Sequence, residues 1–220
     1  MNPGLARETE AMSIAVTSVP PEEMLALTGS THHQGLAAKV GPFPYVSLEA
    51  IVAKGGSGVL VLLDEVQDPA NLGSIIRSAE CLGAAGVVLT KDRAAPVTPV
   101  VEKAAAGAAA HLPVSSATNL VRAIEELKAE GYWIYGATAE ARQEYTSVDL
   151  TGRVGLVLGS EGKGLRRLVR ERCDGALSIP MTGKIASLNV AQTAAILLSE
   201  AQRQRLKRDH DGVETLGPSE

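Results

Sequence analysis

Three short apolar runs constrain this chain most: VLVLLDEV at 59–66, GVVLT at 86–90 and VGLVLGS at 154–160. An unbroken apolar run of this length suits a strand covered on both faces, because a half-exposed strand would alternate with polar residues. The first run is followed by NLGSIIRSAECLGA (71–84), whose Leu72, Ile75, Ile76, Ala79 and Leu82 recur at helical spacing. Further along, VTPVVEKAAAGAAAH (97–111) reads as a helix interrupted by Gly107, and LPVSS as a strand. NLVRAIEELKAEG (119–131) reads as a helix capped by Asn119, and YWIYGAT (132–138) as a strand. GLRRLVRERC (164–173) predicts a helix, GALSIPM (175–181) a strand, and residues 187–207 a last helix. Strands alternating with helices predict an α/β fold with a mostly parallel sheet covered on both faces. No internal repeat is visible.

The front of the chain is less regular. Residues 1–12 read as polar and irregular, SIAVTSV (13–19) as a short strand, and PPEEMLALTG (20–29) as a helix opened by proline and closed by glycine. KGGSG (54–58) is a flexible boundary ahead of the regular pattern.

Bulk properties exclude several functions. The six aromatics (Phe43, Tyr45, Tyr132, Trp133, Tyr135 and Tyr145) are too few for a base-stacking platform on single-stranded nucleic acid. A formal charge of −4 argues against an indiscriminate polyanion binder. Two basic runs, Arg166–Arg167–Arg170–Arg172 and Arg203–Arg205–Lys207–Arg208, read first as solvated helix faces and second as RNA contacts. Cys81 and Cys173 lie far apart, which suits a reducing cytoplasm, and His32, His33 and His111 lack metal-ligand spacing, so no metal is expected. No signal peptide and no bilayer-length apolar run is present, so no membrane partner is expected.

Ligands of parallel α/β folds collect in the loops that leave the carboxyl ends of strands. Three such loops are unusual here. In DEVQDPANLGSIIR (64–77), Asn71 could cap its helix and Arg77 could be a surface arginine. LVLGSEGKGL (156–165) carries three glycines in the order G-x-x-G-x-G, which is neither a dinucleotide fingerprint nor a phosphate loop. Glu161 within it would repel a phosphate, so this loop suits a cationic or donor-bearing ligand. In IPMTGKIASLNV (179–190), Ser187 and Asn189 flank Leu188 at the predicted helix start, as caps or as site residues.

Together DPANLGSIIRSAE, LVLGSEGKGLRRL and IPMTGKIASLNVAQTAAILLSEAQRQR closely resemble the three ordered motifs of the SpoU (TrmH-like) branch of the SPOUT RNA methyltransferases. The segments RAAPVTPVVEKAAAGAAAHLPV, NLVRAIEELKAEGYWIYGAT and HHQGLAAKV are similar to the bacterial subgroup that modifies a guanosine ribose of 23S rRNA. The resemblance covers about residues 13–207. It implies a SPOUT fold with a C-terminal deep trefoil knot, a homodimer, and S-adenosylmethionine-dependent methyl transfer to a ribose 2′-hydroxyl of RNA. A tRNA substrate and a non-catalytic RNA-binding protein are the alternatives.

The same resemblance implies a catalytic set of Asn71, Arg77, Glu161, Ser187 and Asn189, and a cofactor set of Gly159, Ile179, Met181 and Leu188. It implies residues 1–46 as the remnant of an RNA-binding domain with its linker, 47–207 as the methyltransferase domain, and 208–220 as a polar tail. Only the last strand and helix of that small domain are expected, within 13–29, as in a truncated front end. One motif departs from the subgroup: NVAQTAA stands where NVSVAAG is usual, so Ala191 lacks a hydroxyl.

Overall fold

The computed structural model describes residues 3–29, 31, 33–54 and 58–214. The chain divides into two compact units, Met1–Pro42 and Phe43–Glu220. The smaller unit contains helices α1 (Pro3–Ala11) and α2 (Pro21–Thr28). Helix α2 opens on proline and ends at Gly29, whose φ of 63° is left-handed, as its sequence predicts. The polar stretch expected to be irregular is instead α1. The strand expected at 13–19 is absent: residues 14–20 have no strand assignment, and Ile14 and Val16 remain more than half exposed. A strand needs a neighbour to satisfy its backbone and cover its apolar side, and none among the described residues pairs here.

The larger unit runs α3 (Leu48–Lys54), β1 (Val59–Asp64), α4 (Pro69–Cys81), β2 (Gly86–Thr90), α5 (Pro99–Ala104) and β3 (Val114–Ala117). It continues with α6 (Leu120–Ala129), β4 (Trp133–Ala137), β5 (Gln143–Glu144), β6 (Val154–Gly159), α7 (Arg167–Arg172), β7 (Gly175–Ser178) and α8 (Val190–Glu214). The seven strands form one sheet in the order β3-β2-β1-β6-β4-β7-β5, and every pairing is parallel. Strand pleating divides the core. Val59, Val61 and Leu63 of β1 point into the layer that contains α4, α5 and α8, while Leu60 and Leu62 point into the layer of α3, α6 and α7. All five are 0–1% exposed, which explains why β1 reads as an unbroken apolar run.

Several helices are shorter than their sequence periodicity. The segment expected as one helix over 97–111 is α5 followed by a 3₁₀ turn at Ala108–Ala110, with Gly107 left-handed between them. Helix α7 starts at Arg167 rather than 164, because Gly164 is left-handed and Arg166 is extended. Helix α8 starts at Val190, three residues later than expected, and extends to Glu214, so the segment expected as a polar tail is helical at its start.

The basic run at 203–208 is largely tied down by the fold. Arg203 pairs with Glu200 at 2.7 Å, Arg205 donates to the Gly152 carbonyl, and Arg208 donates to the Thr151 hydroxyl. The Arg205 and Arg208 bonds, with Gln204 bridging the Val148 carbonyl and the Leu150 amide, staple α8 to the segment before β6. In the other run, Arg166 pairs with Asp64, Arg167 with Glu171, and Arg172 with Glu125. Most members of both runs are thus engaged by carboxylates, carbonyls or a hydroxyl of the fold.

Candidate active site

Strands β1 and β6 are neighbours, yet the chain leaves β1 toward β2 on one side while β4 and β7 lie on the other. Such a reversal opens a crevice at the carboxyl edge of a parallel sheet. Asp64, the last residue of β1, is in register with Gly159, the last residue of β6. The loops after β1, β6, β4 and β7 therefore start at one level.

The loop after β6 is built by its glycines. Gly159 has no room for a side chain: an added Cβ would lie 2.2 Å from the carbonyl carbon of Gly164 and 2.5 Å from the Leu165 nitrogen. The loop folds back on itself through the Gly164 N–H, which donates to the Ser160 carbonyl at 2.9 Å. Gly162 and Gly164 take φ values of 80° and 65°, which side chains rarely tolerate. Gly159→Ala would push two loop backbones apart and should weaken binding in the adjoining cavity by at least about tenfold. Calorimetry with S-adenosylhomocysteine checks this, and unchanged affinity would show that the loop can shift without altering the cavity.

This loop and the 179–189 segment enclose a cavity of about 640 Å³. Leu158, Leu165, Leu177, Ile179, Met181, Leu188 and Val190 supply its apolar lining, and Gly159 to Gly164 supply backbone. Met181 and Leu188 are 37% and 36% exposed, so sizeable apolar surface faces the open cavity. Thr138, Glu140 and Arg170 add polar groups. The Thr138 hydroxyl donates to Glu140 and holds that carboxyl below the usual carboxylate range.

At the inner end of the glycine loop, three side chains from distant motifs meet. Asn71 Nδ2 donates to Glu161 Oε1 at 2.7 Å. Asn189 Nδ2 donates to the same oxygen and to Asn71 Oδ1, each at 2.9 Å. Asn189 Oδ1 accepts from the Ala191 N–H at 2.8 Å, so Asn189 caps α8 with its oxygen and reaches the network with its nitrogen. Asn71 is only 8% exposed, and these bonds satisfy part of a buried amide. A second cavity of about 260 Å³ adjoins the network and is lined by Glu65, Gln67, Asp68, Asn71, Ser160, Glu161 and Lys163. Glu161 and Lys163 line both cavities.

The structure thus brings together Asn71, Glu161 and Asn189, and places Ser187, Gly159, Ile179, Met181 and Leu188 around the larger cavity. Arg77 is not with them. It lies six residues beyond Asn71 on α4, on the exposed side of that helix, and lines neither cavity. At about 100° per residue, the two side chains leave the helix on different faces. Asp64 and Arg166, which carry an ion pair beneath the loop, were not singled out as site residues by the sequence. The signal available was a carboxylate ending an apolar strand.

The cavity suits a nucleoside carrying an apolar-facing base and donor-bearing or cationic groups, as S-adenosylmethionine does. Its apolar wall can cover a purine, and the folded-back Gly159–Gly164 loop presents backbone groups to it. Among the described residues no group of acidic, histidine and cysteine side chains could hold a metal ion.

Comparison with known proteins agrees with this architecture. The SpoU rRNA Methylase family model matches residues 58–199, and a model for RNA 2′-O ribose methyltransferase substrate binding matches residues 3–46. The chain is 44% identical over 206 residues to the 23S rRNA (guanosine-2′-O-)-methyltransferase RlmB of Xanthomonas campestris pv. campestris, covering 92% of this chain and 83% of that protein. It is 42% identical over 189 residues to the putative TrmH family tRNA/rRNA methyltransferase YacO of Bacillus subtilis, covering 84% of this chain and 76% of that one. Among solved structures, the SpoU methyltransferase AviRb of Streptomyces viridochromogenes in complex with AdoMet superposes with a TM-score of 0.69 at 32% identity. That match covers 74% of this chain and 66% of the AviRb chain. The front unit carries a substrate-binding match although its expected strand is missing, and the rest carries the methylase match across the sheet, the glycine loop and the start of α8. The chain belongs to the SpoU rRNA methylase family.

Proposed function

We propose that this protein transfers a methyl group from S-adenosylmethionine to a ribose 2′-hydroxyl of RNA, with a guanosine of 23S rRNA as its target. One observation carries the reading: the Asn71–Glu161–Asn189 network stands where a nucleoside-sized cavity meets a second, polar one. The larger cavity takes the cofactor, with Gly159, Ile179, Met181 and Leu188 holding it. The smaller takes the target ribose, whose hydroxyl groups can donate to the carboxylates of Glu65, Asp68 and Glu161 that line it.

The cofactor supplies an activated methyl on a sulfonium, which leaves as a neutral thioether. The chain's own work is to align the hydroxyl in line with that methyl and to assist loss of its proton. Asn71, Glu161 and Asn189 fix the loop geometry, and Ser187 presents a hydroxyl at the cavity wall. Arg77 has a guanidinium that stays protonated, so its role is to bind the substrate phosphate or ribose and favour ionisation of the oxygen. Since Arg77 lies outside the single-chain cavity, a homodimer that brings two copies together through this region is part of the proposal. So are a trefoil knot through the C-terminal loops, a cytoplasmic location, residues 1–46 as an RNA-binding segment and 47–207 as the catalytic domain.

The deciding experiment is tritiated-methyl transfer to rRNA and tRNA from cells lacking the enzyme, followed by nucleoside mapping. The expected product is 2′-O-methylguanosine in 23S rRNA. Label in tRNA alone would move the substrate, and no transfer to either, with the cofactor bound, would make the protein a non-catalytic RNA binder.

A further inference from the structure

The cofactor loop is pinned at two places, and only one of them belongs to the network described above. At one it is held by Glu161, through Asn71 and Asn189. Its base is held by Asp64, whose side chain is 0% exposed at the end of β1. Asp64 Oδ2 accepts the backbone N–H of Arg166 at 2.8 Å, and Oδ1 accepts the Nε–H of the same residue at 2.7 Å. The Arg166 Nη1 also lies 3.2 Å from Glu65 Oε1, which a second guanidinium, that of Arg93, approaches at the same distance. Glu65 takes a left-handed φ of 60°, unusual for a residue with a side chain. Neither Asp64 nor Arg166 lines either cavity.

We propose that the buried Asp64–Arg166 clamp is a positioning device for the cofactor: it sets the base of the glycine loop and thereby the shape of the wall against which S-adenosylmethionine binds. The inference rests on the cofactor reading given above. A buried ion pair stabilises a fold no better than a well-packed apolar pair, so the gain lies in geometry. Here the geometry is specific. One carboxylate takes both the main-chain and side-chain N–H groups of Arg166, which defines where the residue after Leu165 must sit. The Gly164–Leu165 peptide is the backbone packed against Gly159, so a displaced Arg166 moves the cavity wall directly. A loop with left-handed glycines at 162 and 164 has the conformational freedom that makes such a clamp necessary.

The test is calorimetry of S-adenosylmethionine and S-adenosylhomocysteine with the full chain, its Asp64→Asn, Arg166→Ala and Arg166→Lys variants, and the Asp64→Asn/Arg166→Ala double variant. Each of the first two should raise Kd by at least about tenfold, and the double variant should lose clearly less than the sum of the two, because both singles remove the same Asp64–Arg166 side-chain contact. Arg166→Lys should recover part of the loss, since its backbone N–H and charge persist while the planar fork does not. In methyl transfer, KM for the cofactor should rise while kcat at saturation stays within about threefold, the pattern of lost uniform binding. Thermal unfolding of each unliganded variant runs beside these measurements. Affinities within about twofold of the parent, alongside lowered melting temperatures, would make the clamp purely structural and overturn the proposal. Additive losses in the double variant would also overturn it. Should Asp64→Asn or Arg166→Ala fail to fold, Arg166→Lys decides, because it keeps a cation and the backbone N–H beside the 0%-exposed Asp64, and an affinity within about twofold of the parent would then overturn the proposal. Failure of the parent protein to bind either ligand would defeat the cofactor reading itself, a result distinct from variants that bind as the parent does.

Discussion

Leu188→Glu should take S-adenosylmethionine binding below detection. Leu188 stands at the cavity wall, 36% exposed, beside Met181 and the backbone of the glycine loop. A ligand that covers this surface must also dehydrate whatever replaces the leucine. An ionised carboxylate dehydrated in place of that apolar wall, beside Met181, opposes binding by several kcal/mol. Glu161 lines the same cavity, so the new charge would face a like charge as well. Leu188→Met is the control: it keeps volume and apolar character and should bind within about tenfold of the parent. Because Leu188 is part-exposed before any ligand arrives, the glutamate variant should fold with little change in melting temperature. Calorimetry on the two variants is sufficient, and unchanged affinity in Leu188→Glu would remove Leu188 from the cofactor site.

Much of the sheet is legible in the chain because its strands are buried on both sides. Gly86–Thr90 forms a strand over the whole of GVVLT, and β1 and β6 differ from their apolar runs only at the ends. Amphipathic helices flanked by cap signals were equally legible: Asn119 accepts from the Arg122 N–H at 3.2 Å at the start of α6, as its position predicts. Errors cluster where backbone geometry is set by a partner rather than by local pattern. Ser187 and Leu188 have helical spacing with the residues that follow, yet they stay outside α8 as cavity wall, and the helix begins only after Asn189 caps it. SIAVTSV has the composition of a strand but lacks a strand to pair with among the described residues.

The site was legible in a different sense. Periodicity and spacing alone leave Asn71 as a helix cap, Asn189 as a cap or a site residue and Glu161 as an oddity in a glycine loop; the cap of α4 is instead Asp68, which accepts from the Ala70 N–H, and Asn71 lies inside the helix. Only the resemblance to a family placed them in one site, and even that named residues without saying which atoms meet. The bonds that join them span 90 and 118 residues of sequence, a separation that no local signal crosses. Asn189 shows why the two readings of the helix start need not compete. An amide has an acceptor and a donor end, so one side chain can cap with its oxygen and serve a site with its nitrogen. Asp at this position would keep the cap and lose the donor. The Asp64–Arg166 pair lay outside both kinds of signal, since an acidic residue at the end of an apolar strand reads as an ordinary strand terminus.

Arg77→Ala should leave cofactor affinity unchanged and lower methyl transfer by at least about a hundredfold, the size usual for lost proton-transfer or alignment help. Unchanged affinity follows from position: Arg77 is exposed, lines neither cavity and makes no ion pair among the described residues. The loss of rate needs more, because the same position keeps Arg77 away from the Asn71–Glu161–Asn189 network of its own chain. A second copy packed through this region would resolve the conflict by presenting its arginine to the first copy's site. Mixing the two variants discussed here tests that arrangement. Arg77→Ala chains keep an intact cofactor cavity, and Leu188→Glu chains keep an intact arginine. If the arginine acts across a dimer, mixed dimers contain one complete site, and activity should rise well above the sum of the separate variants after joint refolding or co-expression. If it acts within its own chain, no mixed dimer contains a complete site and activity stays at that sum. Arg77→Lys should fall between parent and alanine, because an ammonium keeps the charge but lacks the flat fork that grips a phosphate or ribose. Near-normal turnover in Arg77→Ala would return the residue to the surface of α4, with no part in the reaction.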